Sequence, residues 1–265
     1  MPRSPPPAVA QLYFVRRQTR IVKLATWNLG FWQFRRTHDE AWAYLREEIC
    51  PDVAFLQEVK PPELQSDEGL VFRAVHRDWG TAVYVRGLSL RELAISSYPG
   101  RVAAATTRIN ARELALASVH APIINGRVFP HLNFIFDELE RILKNRSAIV
   151  GGDLNSARLC EVVWPGYGHG PFFERIEHGP FIDCHWKFHR KEVQTFFRKN
   201  SPHPFQDDHI FATSDVAERF RSCTVLDNSL IRLFSDHIPI IAEIDMGEAM
   251  PSNQSLQPLS SLKAP

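Results

Sequence analysis

Side chains able to move protons or hold a hard cation recur where β-like apolar runs begin or stop. Asn28 closes the run 21–27, Glu58 closes 52–57, and His120 closes 114–119. Asp153, followed by Asn155, closes 148–152; Asp208 opens 209–212, and Asp236 with His237 precedes 238–244. In an extended chain alternate residues share a face, so Asp153 and Asn155 point the same way if that geometry persists past Gly151 and Gly152. One acid and one amide aimed together from a strand end suit positioning and deprotonating a water. Each of these groups alone also suits a turn or a buried hydrogen bond. Their joint recurrence favours a site.

The elements that must deliver these groups are mostly strands. Residues 21–28 and 52–58 are rich in β-formers and apolar throughout, as core strands are. Between them Trp42, Leu45 and Ile49 lie along one face of a helix over about 40–49, with Thr37 or Asp39 as cap and Pro51 beyond its end. Strands follow over 70–75, 80–85 and 88–95, and a hairpin over 103–109 and 114–120. Leu132, Ile135, Phe136, Leu139, Ile142 and Leu143 have helical spacing, which predicts an amphipathic helix over 129–143. Residues 158–205, with several glycines and prolines, read as a long irregular set of functional loops. Strands over 206–212, 222–226 and 238–244 complete the pattern.

Length and composition bound the class. A chain of 265 residues with 44% hydrophobic and 23% charged residues is one soluble-type globular domain, expected over 19–246. A proline-rich, then basic, arm is expected over 1–18 and a disordered tail over 247–265. The net charge of +1 makes no global field that would advertise nucleic acid, and none that would exclude it. Cys50, Cys160, Cys184 and Cys223 have no metal-ligand spacing and read as reduced, mostly buried thiols, which favours the cytoplasm. No apolar run approaches the roughly 20 residues of a membrane span, and no signal-peptide pattern stands at the start. A monomer is the expected state.

Six segments resemble motifs of the endonuclease/exonuclease/phosphatase superfamily, which includes deoxyribonuclease I and exonuclease III: Thr26-Trp27-Asn28, Leu56-Gln57-Glu58, Ser118-Val119-His120, Gly151-Gly152-Asp153-Leu154-Asn155, Asp208-His209-Ile210-Phe211 and Ser235-Asp236-His237. They stand in the family's order across nearly the whole folded chain. The resemblance implies an α+β fold: a four-layer α/β/β/α sandwich of two mixed β-sheets packed face to face with helices outside. It also implies phosphoester hydrolysis with Mg²⁺ or Mn²⁺, and no organic cofactor. Glu58 and Asp236 are hard oxygen donors, and no cysteine or histidine cluster suits zinc.

By carry-over, Glu58 holds the metal, and Asn28 and Asp236 complete or support its shell. Asp153 orients and deprotonates the attacking water, and Asn155 fixes it and the phosphate. His237 contacts the phosphate oxygens with Asp208 as its partner, and His120 is a second phosphate ligand or the general acid. Departures from the family pattern are informative. Pro204-Phe205-Gln206-Asp207 lacks the arginine common before the partner acid, and the adjacent Asp207 leaves both acids open as the partner of His237. His209 stands where an aromatic is usual, and reads as a space-filling or hydrogen-bonded ring. His120 replaces the tyrosine of the abasic-site branch, which disfavours that repair activity.

Three functions compete. A nuclease is favoured by the cation–aromatic alternation from His185 to Lys191 and on to Lys199, and by Trp32, Phe34, Arg35 and Arg36 after Asn28; Arg35, Arg36, Lys187 and Arg190 are the candidate substrate contacts. A solvated basic loop with its aromatics in the core explains the same alternation. The alternative is a phosphatase or phosphodiesterase of an inositol phosphate, lipid head group or small phosphorylated metabolite. A silent binding module would have no need of acids at so many strand ends.

Overall fold

The computed structural model describes residues 20–76, 78–197 and 203–247. The arm over 1–18, nearly all of the tail, and the cations Arg198 and Lys199 lie outside the described residues. Strand β1 (Ile21–Asn28) leads to helix α1 (His38–Tyr44), which widens into a π-helical turn, Leu45–Ile49. Six strands follow: β2 (Val53–Val59), β3 (Glu68–His76), β4 (Trp79–Arg86), β5 (Arg91–Leu93), β6 (Val102–Ile109) and β7 (Arg112–His120). Helix α2 (His131–Ile142) then precedes β8 (Ala148–Asp153). The remainder is α3 (Arg158–Val163), α4 (His169–His178), β9 (Phe181–Asp183), α5 (Cys184–His189), β10 (Asp208–Thr213), α6 (Ser214–Ala217), β11 (Phe220–Val225), α7 (Ile231–Phe234) and β12 (Ile240–Asp245).

The strands form two six-stranded sheets, in the orders β11-β12-β1-β2-β4-β3 and β5-β6-β7-β8-β10-β9. Only β1 with β2 and β7 with β8 pair in parallel; the other pairs are antiparallel. Strand alternation sorts side chains into layers. Val22, Leu24, Val53 and Phe55 of one sheet meet Leu114, Leu116, Ile149 and Ile210 of the other in an apolar core between the sheets. The opposite phase, Ala25, Trp27, Ala54 and Leu56, packs under Ala41, Trp42, Leu45 and Ile49. On the far side Ala117, Val150 and Phe211 pack under Leu132, Ile135 and Phe136 of α2 and Phe172, Phe173 and Ile176 of α4. This is the four-layer α/β/β/α sandwich. Among the described residues no helix is long and apolar enough to cross a membrane.

Two expectations are corrected. The strand expected over 88–95 keeps only Arg91–Leu93, because the backbone N–H groups of Ser96 and Ser97 turn away to the Glu138 carboxylate, at 2.8 and 2.7 Å. Residues 158–205 are not mainly irregular: α3, α4, β9 and α5 stand there. A buried polar cluster orders them. The Arg158 guanidinium lies over the Phe173 and Trp186 rings, 4.4 and 4.1 Å from their centroids, and donates to Asp183 at 2.9 Å. Asp183 also caps α5 through the Trp186 N–H and lies 3.4 Å from Nδ1 of the fully buried His209. His209 is thus a hydrogen-bonded ring inside the fold.

Candidate active site

The inter-sheet core ends in polar residues on the same inward phase as its apolar ones. Gln57 Nε2 donates to Ser118 Oγ across the two sheets at 2.9 Å. One step further out, Asn28 of β1 donates to Asp153 Oδ2 of β8 at 2.8 Å, again from sheet to sheet. His120 and Asp208 flank Asp153 because β7 and β10 pair with β8 in register at that residue. The two glycines before Asp153 are demanded by close approach. A Cβ on Gly151 would meet the Phe55 ring at 2.4 Å, and one on Gly152 would meet the Val119 carbonyl oxygen at 1.9 Å.

Glu58 breaks the alternation. By phase it belongs with Ala54 and Leu56, which face outward, yet the pairing with β4 shifts between Leu56 and Val59 and Glu58 takes a positive φ of 45°. Such a bulge re-aims a side chain. Glu58 Oε1 ends 3.6 Å from His120 Nε2, inside the site. Asn155 also departs from extended geometry, with φ 48°, a region asparagine tolerates. The turn folds its own N–H back onto Asp153 Oδ1 at 2.8 Å, while its side-chain amide donates to the Ala121 carbonyl at 2.9 Å. The expected shared face of Asp153 and Asn155 is replaced by this turn.

Of the two neighbouring acids, Asp208 is the one that meets His237: Nδ1 lies 2.8 Å from its Oδ2. The other ring nitrogen, Nε2, lies 3.8 Å from Asp153 Oδ2. Burial opposes charge on His237, but Asp208 and Asp153 outweigh it and hold the pKa well above the ordinary value. Residues 195–197 strap this histidine down: Phe196 bridges to it and lies ring to ring at 4.8 Å, and Thr195 Oγ1 accepts from the N–H groups of Asp207 and Asp208. Asp207 is buried beside them, and burial with the charge of Asp153 pushes its carboxyl up to about 8.

Arg101 had no signal in the motifs, yet its guanidinium reaches His120 Nδ1 at 2.9 Å. A guanidinium only donates, so Nδ1 accepts and Nε2 carries the proton, aimed at Glu58 and at Asp153, 3.8 Å away. Burial, then Arg101 and His237, hold the ring neutral. The Pro99-Gly100-Arg101 turn is the feature that could have pointed to it: Gly100 has φ 81° and leaves no room for a Cβ against the Ala74 carbonyl, so the turn is wedged against the β3–β4 hairpin. Trp79, the first residue of β4, was likewise unremarkable in sequence and lies 6.4 Å from the His120 ring.

Carboxylates outnumber fixed cations here. Burial, followed by the charge of Asp153, pushes Glu58 up to about 7, with Asp236 adding to it. Burial pushes Asp153 up to about 6. Asp208 Oδ1 is buried without a partner, and Asp236 is half-buried with Oδ2 3.3 Å from Gln33 Nε2. Raised carboxyl pKa values and an orphaned oxygen are what a hard divalent cation would correct, so the donors fit one. Among the described residues Asp153, Asp208 and His237 bring one ligand atom each within 4.8 Å of one another. His237, held protonated between two acids, is poorly suited to ligate; the carboxyls of Glu58 and Asp236, whose polar contacts are long at 3.6 and 3.3 Å, suit the ion better. Asn28, with its nitrogen on Asp153 and its oxygen accepting from the Gly30 N–H at 2.9 Å, is placed to orient Asp153.

The basic candidates divide. Arg35 lies 4.5 Å from the Trp32 ring, and Arg36 is exposed on the same turn. Lys187 is not brought to the site: its ammonium is spent on the Ala217 carbonyl in α6, which follows the end of β10 opposite Asp208. Arg190 is exposed at the C-cap of α5. The first half of the cation–aromatic segment is therefore a packed helix, with Trp186 on Arg158 and His185 on His189.

Comparisons with known proteins agree with this geometry. Solved structures with the same architecture include an AP endonuclease from Leishmania major (18% identity, 85% of this chain and 88% of that one, TM-score 0.67) and the endonuclease domain of TRAS1, a telomere-specific non-LTR retrotransposon (17%, 85% and 98%, 0.66). A 3' phosphatase from Neisseria, solved with a product DNA hairpin, matches at 17% identity over 84% and 99%, TM-score 0.64. At such identity these likenesses establish the fold alone. A search of curated proteins returned no match. The family model for the endonuclease/exonuclease/phosphatase family matches residues 25–237, from β1 to His237. The chain belongs to that family.

Proposed function

We propose that the chain is a divalent-metal-dependent phosphodiester hydrolase, and specifically a nuclease working on Mg²⁺ or Mn²⁺ in the cytoplasm, where its four free cysteines stay reduced. The observation that carries this reading is the pair of opposed hydrogen bonds on one carboxylate: Asn28 on Asp153 Oδ2 and the Asn155 N–H on Oδ1, with His237 and His120 each 3.8 Å from Oδ2. Both oxygens are aimed, and burial keeps the group basic while it stays ionised at neutral pH. In this reading Asp153 takes the proton of the water that attacks phosphorus in line with the departing ester oxygen.

His237, kept cationic by Asp208, faces the phosphate oxygens and the negative charge that builds on them. His120, neutral with its proton on Nε2, donates a hydrogen bond to the same phosphate or gives that proton to the departing ester oxygen. Asn155 holds Asp153 from below. Glu58 and Asp236 would hold a divalent ion, which when bound would supply Lewis-acid charge next to the phosphate. The shared fold with an AP endonuclease, a retrotransposon endonuclease and a 3' phosphatase solved with product DNA supports nucleic acid as the substrate class. The test is a Mg²⁺- or Mn²⁺-dependent assay on plasmid, single-stranded DNA, RNA and p-nitrophenyl phosphates, with Asp153→Ala alongside. Cleavage of nucleic acid that Asp153→Ala abolishes supports the reading. Turnover of small phosphates alone replaces it with the phosphatase reading.

A further inference from the structure

Two tryptophans continue the candidate site outward, and nothing in the chemistry above uses them. Trp79 stands 6.4 Å from the His120 ring, and Trp32 stands 6.4 Å from Trp79, the two indoles inclined by 33°. Trp32 is 58% exposed, so it is not a core residue that happens to lie near a cleft. A guanidinium lies over one face of each ring: Arg101 is 5.8 Å from the Trp79 centroid, and Arg35 is 4.5 Å from that of Trp32. The platform is built in. Gly30, with φ 56°, turns the chain straight after Asn28 so that Trp32 follows the site within four residues, and the Phe31 N–H is tied to the Glu58 carbonyl at 2.9 Å. Trp79 opens β4 beside Gly80, whose missing Cβ admits the Arg73 carbonyl of β3 and fixes the hairpin's position.

We infer that Trp32 and Trp79 form a base-stacking platform beside the candidate active site, and that the nucleic acid it receives presents unpaired bases there. An exposed large aromatic next to a phosphate-handling pocket costs free energy in water and gains it back by covering another flat apolar face. Bases have such faces, but in a duplex both are buried against neighbouring pairs, so only a single strand, a frayed end or a loop can offer them. Two neighbouring rings, each with a guanidinium over one face, match a strand whose phosphates meet the guanidiniums while successive bases lie on the open faces of the indoles. Stacking of this kind tolerates any base, so the platform selects strandedness, not sequence. The inference deepens the nuclease reading and rests on it for the identity of the ligand.

The test is tryptophan-fluorescence titration of the whole chain, in EDTA so that nothing is cleaved, with three probes: a short oligo(dT), an abasic oligomer with the same number of phosphates, and the oligo(dT)·oligo(dA) duplex. Oligo(dT) should quench fluorescence and bind tighter than the abasic strand by about fivefold to a hundredfold, the effect of a base or two stacked on an aromatic ring. The Trp32→Ala, Trp79→Ala double variant should bring that ratio close to one, and Trp32→Phe should keep most of it. Should the half-buried Trp79 prove necessary for folding, the exposed Trp32→Ala alone must still lower the ratio. Equal binding of base-bearing and abasic strands, a duplex bound as tightly as the single strand, or a ratio untouched by Trp32→Ala would each overturn the inference. The two readings fail separately. Metal-dependent cleavage with no base dependence sinks the platform and spares the nuclease; base-dependent binding without cleavage under any divalent cation does the reverse.

Discussion

Phe55 of β2 occupies the space that a side chain at Gly151 of β8 would need: a Cβ there would lie 2.4 Å from the ring. The contact joins the two sheets two residues before Asp153, so packing and site geometry are the same problem at this point. Gly151→Ala forces the fully buried Phe55 ring off its seat or the sheets apart. Overpacking of this order costs about 1–3 kcal/mol, and the shift falls on the strand that carries Asp153. Urea unfolding should show that loss. Phe55→Leu in the same chain should recover part of it, a positive coupling that separate cavity and strain effects would not produce.

The Asp208–His237 pair makes a prediction of opposite kind, on protonation. Asp208→Asn removes the charge that outweighs burial, so the His237 pKa should fall from well above its ordinary 6.5. The imidazolium then gives up its proton at a lower pH, and the alkaline limb of the hydrolysis rate moves to lower pH with it. At pH 7.5 kcat should drop by about a hundredfold or more. Ring NMR of His237 checks the first step and a pH–rate profile the second. An unmoved ring pKa in the variant would remove the charged-histidine role.

Why some of this was readable from sequence and some was not follows from what each residue must contrast with. Asn28, His120, Asp153 and Asp208 stand on the inward phase of strands that are otherwise apolar, so a polar side chain there is conspicuous. Glu58 was conspicuous as an acid ending an apolar strand, but it lies on the outward phase, and its direction depends on a bulge that no periodicity records. Arg101 stands in the turn before β6 and Trp79 opens β4, where a cation or an aromatic is ordinary; only the folding of one hairpin against another turn brings both to His120. The helices of 158–205 are short, and glycines and prolines hide their period. Arg158, set between Phe173 and Trp186 and tied to Asp183, orders them through contacts distant in sequence. The same distance misplaced Lys187, whose charge stood in a basic run but whose ammonium meets the Ala217 carbonyl.

Glu138 of α2 ties down the loop after β5, and this predicts a pH dependence of stability. Burial alone would raise its pKa, but the N–H and hydroxyl of Ser96 and the N–H of Ser97, at 2.6–2.8 Å, pull it from 4.5 to about 2. A depressed carboxyl pKa stabilises the fold above the unfolded value and loses that contribution as pH falls through the folded one. Unfolding free energy should therefore fall between about pH 4.5 and pH 2. Glu138→Gln should be less stable at pH 7 and flatter across that window, measured by urea unfolding at a series of pH values.

Glu58 carries the prediction on metal binding. Without a cation, burial and Asp153 hold its carboxyl up to about 7, so near neutrality a proton and a divalent ion compete for the same oxygens. A raised carboxyl pKa means that the ligand form is lost as pH falls. Mg²⁺ or Mn²⁺ affinity, measured by calorimetry, should drop through the region below about pH 7, and binding there should release protons to the buffer. EDTA should stop phosphoester hydrolysis and either ion should restore it. Glu58→Gln, which keeps the shape and removes the titrating oxygen, should weaken binding by at least about tenfold and flatten its pH dependence. If affinity holds constant from pH 5.5 to 8, Glu58 is not among the ligands, and the ion must be sought between Asp153, Asp208 and Asp236 instead.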